Sequence, residues 1–206
     1  MVNFSLKVFA LGELYTNCYI VYDNEQKRGF IVDAPSPSRE VLDFINKEKL
    51  NIEFIALTHG HFDHINALSE MSFPFYMHKE DVQLLKNPDL NGSTFFNSSV
   101  KIDREPILLL EENKPLIFDN SKIEIIHTPG HTPGGVCMKI ENWLFSGDTL
   151  FFGSIGRTDV PLGSYESLIR SIRAKLLVLP KDTVVYPGHG ESSTIEDEIV
   201  SNPFLK

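Results

Sequence analysis

The pattern of apolar and polar positions along the chain predicts strands and helices that follow one another in two similar halves. In the first half, short runs rich in β-branched and aromatic residues indicate strands at FSLKVFALG, YTNCYIVYD, GFIVDA, IEFIALTH and FPFYMH. In the second half, KIEIIHT, GVCMKIE, NWLFSGD and DTVVYPGHG have the same character. A tight turn near residues 141–142 is expected to join GVCMKIE to NWLFSGD.

Apolar residues at helical spacing predict four helices, over residues 39–49, about 64–71, 164 to about 177, and the terminal segment TIEDEIV. Ser38 is the expected N-cap of the first helix. Neither a linker nor a low-complexity tract separates the two halves. We therefore expect a single domain over residues 1–206, in which two packed sheets carry helices on their outer faces.

Residues 87–105 form the longest predicted loop, because Asn-Pro, Asn-Gly-Ser-Thr and Asn-Ser-Ser follow one another there. Phe95 and Phe96 lie inside this polar segment. Two interpretations stay open: a surface loop that the two aromatic side chains pin down, or a mobile wall over a binding site, with both rings as substrate contacts.

Composition and charge narrow the class of protein. The 206 residues are 42% hydrophobic and 23% charged, which is typical of a globular chain and gives no sign of disorder. The net charge of −9 disfavours a nucleic-acid partner. The two cysteines, Cys18 and Cys137, are interpreted as reduced core residues. Polar residues interrupt the N-terminal apolar run, so we expect neither a signal peptide nor a membrane span, and a cytoplasmic location.

The candidate chemistry lies in seven residues, most of which come just after the end of an apolar strand. They are His59, His61, Asp63, His64, His131, Asp148 and His189. The strand ends of a layered α/β protein meet at one edge, where such proteins bind ligands. The sequence therefore predicts that these side chains form one site.

Imidazole and carboxylate ligands without a thiolate favour zinc, iron or manganese. His59 and His61 can hold one ion, and Asp63 and His64 can reach a second ion. His131 and His189 then supply one further ligand to each ion, and the two oxygens of a carboxylate suit Asp148 to a bridge. We expect two divalent ions, with zinc preferred, and an open position for a water that becomes the nucleophile.

Four motifs resemble the metal motifs of the metallo-β-lactamase superfamily: THGHFDH (58–64), HTPGH (127–131), FSGDTLF (145–151) and YPGHG (186–190). The resemblance implies an α/β fold, a four-layer αβ/βα sandwich with the site at one edge. It also implies one metal on His59, His61 and His131, and a second metal on Asp63, His64 and His189. Asp148 would bridge the two, and Asp63 and Asp148 would be catalytic.

Within the superfamily, SIGRTDVPLGS (154–164) and the ending GHGESSTIEDEIVSNPFL resemble the short bacterial form of glyoxalase II. The resemblance implies hydrolysis of a small-molecule thioester, S-lactoylglutathione first among them, by a metal-bound hydroxide. The chain departs from the full-length enzymes in two ways. Only 17 residues follow His189, so we expect no helical domain of the kind that grips glutathione, and Gly190-Glu191-Ser192 stands where those enzymes carry a tyrosine.

Two alternatives remain within the same family. The GRTD motif also occurs in persulfide dioxygenases, which use one iron, and lactone or other ester hydrolases share the ligand set. Arg157 of this motif either binds a substrate carboxylate or pairs with Asp159. Asp33 either orients a ligand histidine through its second ring nitrogen or forms a turn. His78 is expected to have a surface or core role, and His127 is expected to pack or to hydrogen-bond to the backbone.

Overall fold

The computed structural model describes residues 4–206, and over this range the chain forms two six-stranded β-sheets that pack face to face. The first sheet contains β1 (Phe4–Leu11), β2 (Thr16–Asp23), β3 (Arg28–Val32), β4 (Asn51–Ala56), β5 (Phe75–His78) and β6 (Leu108–Leu110), in this order. β1, β2 and β3 are antiparallel neighbours, whereas β3 to β6 run parallel.

The second sheet is built from the rest of the chain. Its strands are β7 (Leu116–Phe118), β8 (Ser121–His127), β9 (Val136–Ile140), β10 (Trp143–Gly147), β13 (Val184–Pro187) and β14 (Ser193–Thr194), and a small ribbon of β11 (Leu150–Phe151) and β12 (Ser154–Ile155) lies between β10 and β13 in the chain. Across the sheet the order is β14-β13-β10-β9-β8-β7, and only the β10–β13 pair is parallel.

Helices cover the outer faces. The α-helices are α1 (Arg39–Glu48), α2 (Phe62–Ile65), α3 (Tyr165–Ser171) and α4 (Ile195–Ser201). Short 3-10 helices span Asn66–Ser69, Lys79–Lys86 and Ser93–Phe96, and α3 continues in wider π-helical turns over Ile172–Leu176. The structure describes no helix that is long and apolar enough to cross a membrane.

The hydrophobic core has three parts, which correspond to the three interfaces of a four-layer sandwich. Between the sheets, Phe30 and Phe54 of the first sheet stack on each other at 5.2 Å, and Phe30 meets Phe118 of the second sheet edge-on at 5.0 Å. A second cluster lies under α1 and a third under α3 and α4. Strand β2 is buried on both faces, so its apolar run does not alternate. The predicted αβ/βα sandwich is confirmed.

The structure corrects several local predictions. The helix predicted over 64–71 begins earlier, and only Phe62–Ile65 is α-helical before a 3-10 turn. Ser38 occupies the N-cap position of α1, but its side chain makes no capping hydrogen bond. The short strands β6, β7, β11, β12 and β14 and the 3-10 helix Lys79–Lys86 carry too little periodic signal to be predicted.

The prediction of a loop pinned by aromatic side chains over 87–105 is wrong in its physical detail. Asn91, Ser93 and Ile102 are the buried residues of this segment, and the Asn91 amide donates to the carbonyl oxygens of Leu84 and Val100. A buried side-chain amide can hydrogen-bond to backbone carbonyl groups, as a neighbouring strand would. These hydrogen bonds anchor the segment. Phe95 and Phe96 are instead 69% and 45% exposed.

Candidate metal centre

The turns that follow four strands meet at one edge of the sandwich and bring all seven predicted ligands together. His59 follows β4, and His131 lies in the turn between β8 and β9. Asp148 and His189 follow β10 and β13, which are parallel neighbours and therefore end at the same edge. A backbone hydrogen bond from Asn17 to Gly188, 2.7 Å long, joins the first sheet to the His189 turn.

One group of ligands consists of His59, His61 and His131, and all three side chains are buried. The His61 Nδ1 and His131 Nε2 atoms lie 2.7 Å apart. The three ring centroids are 4.5–4.9 Å from one another, and the ring planes are nearly perpendicular. Nitrogen lone pairs of perpendicular rings can point to a common centre, as three ligands of one ion require.

A second group consists of Asp63, His64 and His189. The Asp63 Oδ2 atom lies 3.6 Å from His64 Nε2 and 3.3 Å from His189 Nε2. Because Asp63 and His64 are neighbours in α2, whose first turn follows His61 directly, one short helix contributes to both groups. Thr16 on β2 donates a 2.8 Å hydrogen bond to the same Asp63 oxygen and orients the carboxylate.

Asp148 lies between the two groups. Its Oδ1 is 3.3 Å from His64 Nε2, and its Oδ2 is 3.5 Å from both His131 Nε2 and His189 Nε2. The carboxylate therefore faces ligands of both groups at once. Gly188 makes room for it, because a Cβ atom at this position would lie 2.1 Å from Asp148 Oδ1 and 2.7 Å from His64 Cε1.

The buried polar atoms at the centre show that the ligand set fits metal ions. The Nε2 atoms of His59, His61 and His64 and the Oδ1 atom of Asp148 are buried without a hydrogen-bond partner. Buried polar atoms are normally paired, so a cluster of unpaired donor atoms calls for a ligand. Nitrogen and carboxylate oxygen without sulfur match zinc, iron or manganese.

The charges of the side chains at the centre also favour a bound metal ion. Burial lowers the pKa of His59 well below its usual value and that of His61 to about 3, so both imidazoles are neutral and able to bind a cation. Burial would also lower the pKa of His64, but Asp33, Asp63 and Asp148 raise it well above its usual value. Three carboxylates therefore lie around this buried imidazole, and their negative charge favours a cation at the centre.

Asp33 orients ligands of both groups, one directly and one through Thr58. The Asp33 Oδ2 atom is 2.8 Å from His64 Nδ1 and also accepts a 2.8 Å hydrogen bond from the Thr58 hydroxyl, which lies 3.1 Å from His59 Nδ1. The Thr58 amide donates to Asp33 Oδ1 at 2.7 Å. Asp33 has a φ of 60°, a left-handed conformation. Of the two roles considered from the sequence, its hydrogen bonds fit the one in which it orients a ligand histidine, since no hydrogen-bonded turn is present at Asp33.

Two further imidazoles, those of His131 and His189, are oriented by backbone carbonyl groups. His131 Nδ1 is 2.7 Å from the carbonyl oxygen of Arg157, and His189 Nδ1 is 3.0 Å from that of Leu14. Bonds of this kind fix which ring nitrogen is left for a metal. Because the partners are backbone carbonyl groups, which every residue has, these contacts could not be predicted from the sequence.

Asp81 is a buried carboxylate that the sequence analysis missed. It accepts hydrogen bonds from the Gly60 amide (2.9 Å), the Gly134 amide (2.6 Å) and the Thr132 hydroxyl (2.7 Å). Gly60 belongs to the first ligand turn and the other two donors to the His131 turn. Asp81 therefore joins two ligand-bearing turns that are 70 residues apart at His61 and His131. Within the sequence it is one of several acidic residues after a strand, with nothing to distinguish it.

We predict that Asp81→Asn lowers the free energy of unfolding by about 2–3 kcal/mol, because an amide cannot accept from all three donors. Burial raises the pKa of Asp81, so part of the cost of a buried charge is relieved in the variant. Thermal and denaturant unfolding of the metal-free protein measures the change. Asp43→Asn, on the exposed face of α1, is the control and should change stability by less than about 0.5 kcal/mol.

A cavity of about 560 Å³ opens in front of the centre. Asp63, Asp148 and His189 form its floor, and Phe62, Phe95 and Phe96 form one side. The Phe62 and Phe96 rings are in contact at 5.0 Å. Arg157 also lines the cavity. Its guanidinium forms a bidentate ion pair with the Asp159 carboxylate, with N–O distances of 2.8 and 3.0 Å. The pair is mostly exposed, so it stabilises the loop only weakly.

His78 and His127 lie apart from the centre and stack on each other at 4.2 Å with an angle of 17° between their rings. His127 Nε2 donates to the Pro133 carbonyl oxygen at 2.8 Å. Their donor atoms and Glu80 come within 4.8 Å of one another. The lone pairs of the two rings lie in nearly parallel planes and converge poorly on one ion, so this geometry favours packing over metal binding.

Cys18 and Cys137 are both buried, and neither forms a disulfide.

Comparison with known proteins agrees with this geometry. A family model described as the metallo-beta-lactamase superfamily matches residues 11–189. The chain is 34% identical to the hydroxyacylglutathione hydrolase GloC of Haemophilus influenzae, over 98% of both chains. Among solved structures, the BLEG-1 B3 metallo-beta-lactamase superposes with a TM-score of 0.92 and 38% identity, over 98% of this chain and 99% of that one. TTHA1623, in a di-iron-bound form, gives 0.84 and 32%, over 97% and 100%.

Proposed function

Since this chain belongs to the metallo-β-lactamase superfamily, we propose that it is a binuclear metallohydrolase that cleaves a thioester of the hydroxyacylglutathione type, S-lactoylglutathione in the first place. The observation that carries the proposal is the position of Asp148, whose two oxygens face ligands of both histidine groups at 3.3–3.5 Å. The near full-length similarity to GloC of Haemophilus influenzae supports the thioester substrate.

Under this proposal, His59, His61 and His131 would hold one divalent ion, Asp63, His64 and His189 would hold the other, and Asp148 is placed to serve both. The ions would supply a water of lowered pKa and polarise the thioester carbonyl. Zinc is the expected metal, and iron is a real alternative because TTHA1623 was solved in a di-iron-bound form. Manganese can use the same ligand types.

Residues next to the ligand groups keep the ligand side chains in fixed orientations while the thioester reacts. Asp33 keeps His64 and, through Thr58, His59 in fixed orientations. Preorganised charge of this kind accelerates acyl transfer because little reorganisation is needed in the transition state. The leaving thiolate is stable without a proton, so the cavity needs no dedicated acid. Phe62, Phe95 and Phe96 exclude water from one side of the substrate.

A substrate panel tests the proposal. We expect the metal-loaded protein to release glutathione from S-lactoylglutathione faster than it opens a lactone or a β-lactam. The β-lactam is included because BLEG-1 is a B3 metallo-beta-lactamase. Oxygen consumption with glutathione persulfide as the substrate, measured with an oxygen electrode, tests the alternative of an iron dioxygenase raised by the GRTD motif. Oxygen consumption with the persulfide, and no thioester cleavage, would replace the proposal by that alternative.

The aromatic side of the cavity is proposed to contact substrate, and Phe96→Ala tests this. We expect KM to rise about 3- to 10-fold while kcat changes less than about twofold, because the lost contact is an apolar one made in both the ground and transition states. Phe204→Ala is the matched control, since Phe204 has the same 45% exposure but does not line the cavity. An equal effect of both substitutions on KM would contradict the assignment. Besides Phe95 and Phe96, Arg157 is proposed to contact the substrate, with a substrate carboxylate taking the place of Asp159.

A further inference from the structure

Two polar side chains, one in the C-terminal helix α4 and one at its C-cap position, are completely buried, although they take no part in the metal centre. They are Glu198 and Asn202, both 0% exposed. The Glu198 carboxylate accepts from the Gly153 amide, at 3.3 Å to Oε1 and 3.1 Å to Oε2. The Asn202 amide uses both of its hydrogens, donating to Glu198 Oε2 at 2.7 Å and to the Ser154 carbonyl oxygen at 2.9 Å.

The bonds to Gly153 and Ser154 hold the tip of the β11–β12 ribbon, whereas the Asn202–Glu198 bond links the two side chains to each other. This ribbon forms a wall of the cavity. Phe151, Ser154 and Ile155 line the cavity, and the Phe151 ring lies 6.1 Å from the ring of His189. The ribbon starts two residues after Asp148. It ends two residues before Arg157, whose carbonyl oxygen accepts from His131. The ribbon thus connects two points of the metal centre.

The ribbon itself is too short to hold its shape. It has only two residue pairs, Leu150 with Ile155 and Phe151 with Ser154, and its turn contains Gly153 at a φ of 63°. An isolated two-stranded hairpin is marginally stable at best. Leu150 and Ile155 are anchored in the core under α3 and α4, whereas Phe152 in the turn is 57% exposed. The base of the ribbon is therefore fixed by packing and its tip by Glu198 and Asn202.

We propose that Glu198 and Asn202 are positioning residues, which hold the tip of the β11–β12 ribbon and thereby keep the Phe151 wall of the substrate cavity in place. The kinetic part of this inference rests on the proposed thioester hydrolysis, whereas the structural part does not. Loss of either side chain frees the wall but leaves all seven metal ligands intact. Substrate binding therefore weakens more than the chemical step.

Glu198→Gln tests this, because glutamine has the same shape but places an amide donor among the donors of Gly153 and Asn202. We expect amide hydrogen exchange at Gly153 to accelerate at least about tenfold, corresponding to the loss of one charge-assisted hydrogen bond. KM should rise about fivefold, kcat should change less than about twofold, and metal content should be unchanged. Asn202→Ala is the second variant and should give the same pattern if Glu198→Gln folds poorly.

Thr194→Ala, at the N-cap of the same helix, is the matched control. Thr194 caps α4 through a reciprocal exchange of hydrogen bonds with Asp197. Thr194 is half-buried and Asp197 is exposed, and these hydrogen bonds do not reach the ribbon. It should weaken α4 without changing Gly153 exchange or KM. Unchanged Gly153 exchange in Glu198→Gln and Asn202→Ala, or an equal change in Thr194→Ala, would overturn the inference. Faster exchange with an unchanged KM would overturn the link to the cavity. If the wild-type protein cleaves no thioester, the proposed function fails, while Gly153 exchange still tests the positioning role.

Discussion

Asp148→Asn is expected to lower kcat/KM for the thioester on the order of 10³-fold, the largest effect of any conservative substitution in this chain. Asparagine keeps the volume of the side chain but removes its charge and one of its two acceptor oxygens. Asp148 lies 3.3–3.5 Å from His64, His131 and His189, so no other carboxylate can replace it between the two groups. The surrounding imidazoles lower the pKa of Asp148 well below its usual value against the effect of burial, which keeps it charged.

Steady-state kinetics, with metal content measured on the same samples, gives the size of this effect. Asp182→Asn, an exposed carboxylate before β13, is the control and should keep wild-type kinetics. The bridging role of Asp148 would be refuted if its asparagine variant retained two ions and more than about a tenth of the wild-type rate.

His59→Ala is expected to abolish thioester cleavage to a similar degree, about 10³-fold or more, through loss of metal from the group that contains His61 and His131. His59 Nε2 is buried without a partner, and its Nδ1 is oriented through Thr58 by Asp33, so the ring is fixed toward the centre. The substitution should also reduce bound metal to one ion or fewer per chain.

His78→Ala is a demanding control for this prediction. His78 is also a nearly buried histidine at a strand end, 6% exposed against 2% for His59, but it stacks on His127 away from the cavity. It should lower stability through a lost ring contact and leave metal content and kcat/KM near the wild-type values. Equal losses of metal in both variants would contradict the separation of the two histidine clusters.

The position of the ligands could be predicted from the sequence because it depends on backbone topology. His59, Asp148 and His189 each follow an apolar strand, and strands with long apolar runs bury their middles and expose their ends. Two packed sheets with helices on their outer faces could be predicted from the periodic apolar segments, whereas the four-layer αβ/βα sandwich was implied by the resemblance of the motifs to the superfamily.

What could not be predicted depends on contacts between segments far apart in the chain. Asp81 is important because Gly60 and Gly134 both point at it, and Glu198 because Gly153 does. In sequence, both are acidic residues next to other acidic residues, with nothing to distinguish them. In the 87–105 segment Asn91 is buried while Phe95 and Phe96 are exposed, which reverses the expectation that aromatic side chains anchor a loop and polar ones face water.

The most direct test of a binuclear thioesterase is a metal titration of the metal-free protein that follows binding stoichiometry and S-lactoylglutathione cleavage in the same sample. We predict that two zinc or iron ions bind per chain and that the rate reaches its maximum only as the second site fills. Lactate and glutathione should then form in equal amounts without oxygen consumption. Full activity at one ion per chain, or no thioester cleavage with both sites filled, would contradict it.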